Sequence, residues 1–489
     1  MSKYLDFHPT RQMLNLPFST QKLNIQKIKG AIEKSKTQRS DLADAFRKLS
    51  ISTQESKSEK SFYKSSYEIE DIPELVEALK NPDDQSHLFA AQGFRKILSL
   101  ADPHISEVLR AGILPYTIEW IQRYDFPELQ MEGAWILTNI SYGDHEYVEL
   151  VVNSGALPLL INLMNSENED VRDQAIWALG NLCGDTDEYR QLAINLGGLN
   201  ELIRVVKYSQ RISTIREGCW AISNICIYKF INFQLVEEII PLAANFLNES
   251  QHSGIISDCI LILARLCEGC EESISLLLKC GNIIPKIIWY LTSNLTMFVV
   301  PSLRVIRAIS TDSSPYLKNT IKMQIIPILS GLLDSDYRGI RKDSAWCLAK
   351  LCTAEYLDTL FVNSIFTKIT NLISTENENL TKRQFLLFLT SAVSACNTAQ
   401  MTQLIQMNLI STLCGALRSD DKSILTLALE SLMYTLTFNR QSTVEVNQSL
   451  LELIDECGGC QNLEDLRANP NIRIQQKLYE ILNFLCEAE

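Results

Sequence analysis

The chain has 489 residues, a formal net charge of −13 and 46% hydrophobic residues. This apolar fraction is ordinary for a folded protein and excludes a chain that is disordered throughout. The negative charge argues against nucleic-acid binding, which needs cations against phosphates, and it favours a surface that receives basic ligands.

The N-terminal segment differs in composition from the rest. Residues 1–50 contain ten Lys or Arg against four Asp or Glu, and residues 51–65 are rich in Ser and Lys, which is typical of a flexible linker. The sequence shows no secretory leader and no apolar run as long as a membrane span. It therefore predicts a basic arm, residues 1–65, tethered to an acidic body, residues 66–489, in a soluble intracellular protein without membrane insertion.

Prolines mark a repeat within the body. Five of them follow similar apolar residues at intervals of 43, 83, 44 and 42, where 83 is two periods. They are Pro115, Pro158, Pro241, Pro285 and Pro327. Since proline is tolerated in the first turn of a helix, where its missing N–H has no partner to lose, each is predicted to lie near the start of a helix.

Tryptophans repeat with the same period. Trp135, Trp177 and Trp220 are 42 and 43 residues apart, and Trp346 follows Trp220 by three periods of 42. Apolar residues at helical spacing surround each of them. A period near 42 without strand alternation predicts an all-α, right-handed solenoid of the armadillo or HEAT kind, with about ten repeats between residue 70 and the C-terminus.

An asparagine follows tryptophan by four residues in three successive units. The pairs are Trp135/Asn139, Trp177/Asn181 and Trp220/Asn224. This spacing places both side chains on one helical face. A single tryptophan could belong to the core, but Asn has two donors and an acceptor that a core does not easily satisfy. The recurrence therefore favours an exposed groove.

Such a groove suits an extended, Lys/Arg-rich peptide. A carboxamide can bond the N–H and C=O of a ligand backbone, and the stem of a Lys or Arg fits between indole rings. The cation near the ring face contributes about 0.5–2 kcal/mol. Asp185, one turn after Asn181, and Asp258 in the next unit are candidate partners for the charged tips.

Four segments carry a resemblance to a known family. They are Glu132-Gly-Ala-Trp-Ile-Leu-Thr-Asn-Ile-Ser-Tyr-Gly143, Gln174-Ala-Ile-Trp-Ala-Leu-Gly-Asn-Leu-Cys-Gly-Asp185, residues 84–96 and residues 457–482. They resemble importin alpha, the armadillo adaptor for nuclear import. The likeness extends over about residues 70–486 and is strongest from 84 to 226.

The resemblance implies that the second to fourth repeats bind nuclear localisation signals. The residues at positions of the family's major site are Trp135, Asn139, Gly143, Gln174, Trp177, Asn181, Asp185, Glu217, Trp220, Asn224 and Asp258. Asp185 and the carbonyl of Gly143 match the family's lysine pocket. In that pocket Val148 replaces a threonine, and Glu217 replaces a backbone-clamping asparagine.

The family's minor site is expected to be weak or repurposed in this chain. Asp343 and Trp346 match it, but Lys350 stands at its Asn position, and a lysine repels a cationic ligand. In the eighth repeat the positions of an acid, a Trp and an Asn hold Gln384, Leu387 and Ser391.

The N-terminal segment of the family binds importin beta and, when free, occupies the groove. Residues 32–42 have the spacing of that helix, and its candidate contacts are Lys34, Lys36, Arg39 and Leu42. Several of the family's arginines are missing, so two interpretations stay open. One is a mildly basic tail; the other, which we favour, is a divergent importin-beta-binding segment with weakened autoinhibition.

The sequence thus predicts a nuclear import adaptor that shuttles between cytoplasm and nucleus. The implied partners are proteins with basic localisation signals, importin beta, an export receptor and nucleoporins. The alternative is an armadillo scaffold for protein–protein interactions that has lost nuclear shuttling.

No enzymatic motif, cofactor or metal site is predicted. The sequence shows no phosphate-binding glycine loop, nucleophile elbow or His-x-x-x-His. Two CxxC pairs, Cys267/Cys270 and Cys457/Cys460, lie too far apart to supply the four ligands of one zinc ion, so we expect these cysteines to serve packing.

Overall fold

The computed structural model describes residues 67–310, 319–440 and 444–486. The arm predicted for residues 1–65 lies outside the described residues. Within these ranges the chain forms 27 α-helices, two short 3-10 helices and no β-strand, which confirms the all-α prediction. The chain divides into two compact units between Ile113 and Leu114.

The first unit is a small helical cluster. It contains the 3-10 turn Ile69–Asp71 and the helices α1 (Ile72–Ala78), α2 (Asp84–Leu98) and α3 (Ile105–Arg110). The carboxylate of Asp83 caps α2 by accepting the N–H of Ser86 at 2.9 Å. Gly93 lets the fully buried Leu75 approach α2, since a Cβ at Gly93 would overlap the Leu75 side chain.

The second unit contains the remaining helices, of which the first begins at the boundary residue. In chain order they are α4 (Ile113–Trp120), α5 (Pro127–Ser141), α6 (His145–Asn153), α7 (Ala156–Leu163), α8 (Glu169–Asp185), α9 (Asp187–Asn195), α10 (Gly198–Tyr208), α11 (Ile212–Ile225), α12 (Phe233–Glu249), α13 (Ser253–Cys267), α14 (Glu271–Lys279), α15 (Ile283–Leu291), α16 (Thr296–Ser310), α17 (Asn319–Leu332), α18 (Arg338–Leu351), α19 (Leu357–Val362), α20 (Ile365–Thr375), α21 (Asn379–Ala395), α22 (Thr398–Gln406), α23 (Leu409–Ala416), α24 (Lys422–Arg440), α25 (Val444–Glu456), α26 (Gly459–Asp465) and α27 (Ile472–Cys486).

One long helix recurs at the end of each repeat, and we call these the H3 helices. They are α2, α5, α8, α11, α13, α16, α18, α21, α24 and α27. Their first residues lie 41 to 43 residues apart, apart from the last interval of 50. This regularity confirms a repeat near 42 residues and about ten repeats. In the second unit, consecutive H3 helices pack against each other.

Each H3 helix separates a core face from a partly exposed face. Leu137, Leu179 and Ile222, each two residues after a repeat tryptophan, are fully buried. Burial of such a side chain contributes about 1.5–3 kcal/mol. The tryptophans themselves are only half-buried, so the same helices that build the core also carry the candidate site.

A residue in the left-handed conformation separates the first two helices of most repeats. These residues are Gly112, Gly155, Gly197, Gly281, Ser364, Asn408 and Gly458, with φ between 55° and 80°. Such a residue ends one helix and lets the next begin at a new angle.

The prediction for the repeat prolines is confirmed at three positions and wrong at two. Pro115, Pro158 and Pro285 each lie third in their helix. Pro241 and Pro327 instead lie inside the continuous helices α12 and α17. Among the described residues of those two repeats no left-handed residue lies shortly before the proline, and one continuous helix takes the place of the first two.

The remaining sequence expectations concern membranes, cysteines and metals. Among the described residues no single helix is long and apolar enough to cross a membrane, and one pair of sufficient length, α14 with α15, is bent by 100°. The cysteines from Cys183 to Cys460 are free thiols, and among the described residues no cluster of three His, Cys, Asp or Glu could hold a metal ion. Burial raises the pKa of Cys267 to about 12.

Candidate peptide-binding surface

Three tryptophans occupy equivalent positions on neighbouring helices. Trp135, Trp177 and Trp220 are each the ninth residue of their H3 helix, α5, α8 and α11, and each is half-buried. Because α5 packs on α8 and α8 on α11, equivalent positions of these helices form a row. We call the ninth and thirteenth residues of an H3 helix its ladder positions.

A glycine makes room for one of these indoles. Gly180 lies on α8, three residues after Trp177, and a Cβ there would overlap the Trp220 ring. The ring of one repeat therefore rests on the helix backbone of the repeat before it. This close approach fixes the position of Trp220 relative to α8.

The asparagines of the ladder connect adjacent repeats. Asn181 donates its side-chain N–H to the carbonyl of Thr138 at 3.0 Å, and Asn224 donates to the carbonyl of Gly180 at 2.9 Å. In the next repeat Arg265 takes over this role and donates to the carbonyl of Ser223. Each bond joins one H3 helix to the one before it.

The expectation that a core cannot easily satisfy these asparagines is wrong for two of them. Asn181 and Asn224 are each only 6% exposed, and the backbone carbonyl of the neighbouring helix accepts their N–H. Among the described residues no donor reaches Oδ1 of either side chain, so that oxygen remains an acceptor for a ligand. Asn139 is half-buried.

The carboxylate of the predicted lysine pocket has a partner that the sequence did not suggest. His145 Nδ1 lies 2.5 Å from Oδ2 of Asp185. The His145 ring stacks on Tyr189 with centroids 6.2 Å apart. The hydrogen bond and the charge of Asp185 raise the pKa of His145 above its ordinary value. A titratable side chain of the chain itself thus contacts the group assigned to the ligand's lysine.

The other predicted major-site residues lie on or next to α5, α8, α11 and α13. Gly143, Gln174 and Asp258 are half-buried, and Val148 is buried. The carboxylate of Glu217, half-buried on α11, pairs with the guanidinium of Arg216. This pairing offsets the negative charge that the sequence predicts at that position.

The surface around Trp346 has the opposite charge. The Arg307 guanidinium lies 4.8 Å and the Lys350 ammonium 5.5 Å from the indole centroid. The Asp343 carboxylate lies 3.6 Å from both Arg307 and Lys342. The matching residues of the eighth repeat, Gln384, Leu387 and Ser391, are half-buried on α21.

Comparisons with known proteins place the chain in a family. An armadillo/beta-catenin-like repeat model matches residues 144–184 and 186–227, and a model of GCN1-like HEAT repeats of a stalled-ribosome sensor matches residues 301–459. Importin subunit alpha-1b of Oryza sativa subsp. japonica is 30% identical over 423 residues, covering 85% of this chain and 78% of that protein. The chain belongs to the importin alpha family.

Further similarities agree with this assignment. Importin subunit alpha-3 of Arabidopsis thaliana is 28% identical over 422 residues, 84% of this chain and 79% of that protein. An engineered protein of known crystal structure superposes with a TM-score of 0.72 at 19% identity, over 85% of this chain and 99% of that one. The last likeness supports the armadillo-repeat fold alone.

Sequence reasoning missed three groups in this importin alpha family member. His145, Arg265 and Arg307 contact predicted site residues or replace them. Of the three, only His145 had a local signal in the sequence, because it lies two residues after the predicted site residue Gly143. The partners of the two arginines lie on other helices, about 40 residues away in sequence, so no local pattern could reveal them.

Proposed function

We propose that the protein is a nuclear import adaptor that binds Lys/Arg-rich localisation signals along α5, α8 and α11. The observation that carries the proposal is the row of half-exposed indoles at equivalent positions of three packed helices, with the Asp185 carboxylate at the end of α8. Membership of the importin alpha family supports it.

The chemistry of this surface matches such a ligand. Aliphatic stems of Lys and Arg pack between the indoles, and their cations gain from the ring faces. Asp185 binds one ammonium group, and the Oδ1 atoms of Asn181 and Asn224 accept ligand backbone N–H groups. Affinity then depends on regular spacing along an extended chain, because the indoles repeat at the spacing of the helices.

A matched pair of tryptophan variants tests this proposal. We expect Trp177→Ala to weaken binding of a fluorescein-labelled Lys-Lys-x-Lys peptide to the full chain by about tenfold, the loss of roughly 1.4 kcal/mol. Trp289, 65% exposed on α15, supplies the control, and Trp289→Ala should leave the affinity unchanged. Equal effects of the two variants in fluorescence anisotropy would refute the site.

The link to importin beta is assigned to residues 1–65, with Lys34, Lys36, Arg39 and Leu42 as contacts. These residues lie outside the described ranges, so this part of the proposal depends on the sequence and the family. A pull-down of importin beta with the full chain and with the Lys34→Glu, Lys36→Glu, Arg39→Glu variant tests it. Capture by the full chain and loss in the variant are expected.

A scaffold that has lost nuclear shuttling is the second candidate. The cations around Trp346 favour it, because they oppose a second basic cluster of cargo. If the full chain captures no importin beta but binds the basic peptide, the scaffold is the better account. Shuttling between cytoplasm and nucleus is expected only of the import adaptor, not of the scaffold.

A further inference from the structure

The ladder positions change character along the chain. On α5, α8 and α11 they hold Trp and Asn in each case. On α16 and α18 they hold Arg304, Ala308, Trp346 and Lys350. The same face of equivalent helices therefore passes from indoles and carboxamides to a face with exposed cations.

The cations around Trp346 outnumber the anions among the described residues. Arg304 and Lys350 are exposed, and the side chains of Arg307 and Lys342 are 38% and 37% exposed. Asp343 is the carboxylate in contact with this group, and its side chain is 19% exposed. We call Arg307, Lys342 and Lys350, together with Arg304 one turn before Arg307 on α16, the basic cluster.

A second carboxylate, that of Glu268 at the end of α13, responds to the charges on α16. Burial alone would raise the pKa of Glu268, but Lys229, with help from Arg304 and Arg307, lowers that pKa below its ordinary value. Lys229 also pairs directly with Glu268 at 3.3 Å. The positive charges of the basic cluster thus also act on Glu268. The neighbouring carboxylates, Asp343 and Glu268, are fewer than the cations and do not neutralise them.

The indole of Trp346 is already in contact with two cations of the chain. Both lie within the range of about 6 Å over which a cation interacts with a ring. A ligand lysine would have to displace one of them and approach the other. The partly exposed guanidinium of Arg307 has the planar fork that binds carboxylates in pairs of hydrogen bonds.

We propose that the basic cluster on α16 and α18 binds an Asp/Glu-rich peptide segment. The ligand of the whole surface is then a charge-segregated peptide, whose basic cluster lies on α5, α8 and α11 and whose acidic segment lies on α16 and α18. Only the basic half of this ligand rests on the proposed function. The acidic half rests on the charges around Trp346.

Fluorescence anisotropy with the full chain tests this inference. The labelled probes are a basic peptide with a neutral Gly/Ser extension, the same peptide with an Asp/Glu extension at either end, and one with a second Lys/Arg cluster. An Asp/Glu peptide without the basic cluster is the fifth probe. We expect one of the two acidic extensions to strengthen binding about five- to tenfold over the neutral one, as a few exposed charge pairs would, and to lose this gain at high salt.

Charge reversal identifies the residues responsible. In Arg307→Glu/Lys350→Glu the gain should vanish and the second Lys/Arg cluster should become the better extension. The control Lys207→Glu/Lys422→Glu makes the same change of net charge at two other exposed lysines and should keep the gain. Lys350→Glu alone, at an exposed position, repeats the test if the double variant shows a lowered thermal midpoint.

The outcomes separate the two proposals. If acidic and neutral extensions bind equally, or if the gain survives in both Lys350→Glu variants, the acidic-segment inference is wrong. If the basic peptide with the neutral extension does not bind, the proposed function is wrong. Binding of the Asp/Glu peptide alone, lost in Lys350→Glu, would then still support the inference.

Discussion

At the scale of single residues, His145 and Asp185 decide how the lysine pocket responds to pH. Protonated His145 satisfies the Asp185 carboxylate, with Glu149 and Glu146 on α6 also favouring its charged form. A ligand lysine must compete with this internal cation. The pocket is therefore least accessible to cations when His145 carries its proton.

We predict that peptide affinity increases as the pH rises through the raised pKa of His145. The pair's contribution to stability has the opposite sign: it is fully present below the unfolded pKa of about 6.5 and is lost as pH rises through the higher folded pKa. That contribution is small, because the His145 side chain is 55% exposed.

Anisotropy titrations across the neutral range measure this effect. His145→Gln should bind the basic peptide with an affinity that no longer follows pH in that range. His104→Gln, in the first unit, is the control and should keep the dependence. An unchanged pH profile in His145→Gln would show that Asp185 is not the group that receives the lysine.

At the scale of helices, hydrogen bonds between repeats set the spacing of the indoles. Asn181 and Asn224 each contribute one buried bond to the preceding H3 helix, worth about 1 kcal/mol net. We predict that Asn181→Ala lowers the thermal midpoint and speeds amide hydrogen exchange in α5 and α8. Asn162→Ala, at an exposed position of α7, should do neither. Equal midpoints for the two variants would contradict the connecting role.

Gly180 supports the row of indoles in a different way. A Cβ at this position overlaps the Trp220 ring, whereas a Cβ at Gly184, one turn later, lies 3.6 Å from Asn224 Nδ2 in ordinary contact. We predict that Gly180→Ala displaces Trp220, destabilises the protein by about 1–3 kcal/mol and weakens peptide binding.

Gly184→Ala serves as the control on the same helix. It gains up to about 1 kcal/mol of helix propensity and should bind the peptide as the unmodified chain does. Urea titration and anisotropy of both variants measure these effects. A Gly180→Ala protein with normal peptide affinity would mean that the Trp220 ring does not contact the ligand.

The helices also show which local features sequence reasoning could capture. The H3 helices were predictable where Trp recurs at the repeat spacing among apolar neighbours, in α5, α8, α11 and α18. The merging of two helices into one in α12 and in α17 was not foreseen, because their prolines resemble those of the other repeats. What distinguishes the other repeats is a left-handed residue a few positions before the proline. The burial of Asn181 depends on an acceptor 43 residues away, which no local pattern reveals.

At the scale of the whole molecule, the repeat keeps equivalent positions on successive H3 helices, while the charge of the residues at those positions changes along the chain. The period and the number of repeats follow from spacing that is regular over hundreds of residues, whereas the importin alpha family was indicated by the resemblance of particular segments. Lys350 beside Trp346 was evident from the sequence, because it lies four residues later on the same helix, but Arg307 was not, because it reaches the ring from another helix. The sequence predicted a weak or repurposed second site there, and the contacts favour a change of ligand charge.

The crystal structure of the full chain with a Lys/Arg-rich localisation peptide tests the central claim most directly. We predict an extended peptide across α5, α8 and α11, with a lysine ammonium bound to Asp185 in place of His145 and neighbouring stems packed on Trp135, Trp177 and Trp220. A peptide bound elsewhere, or bound over these helices without contact to the indoles, would contradict the account.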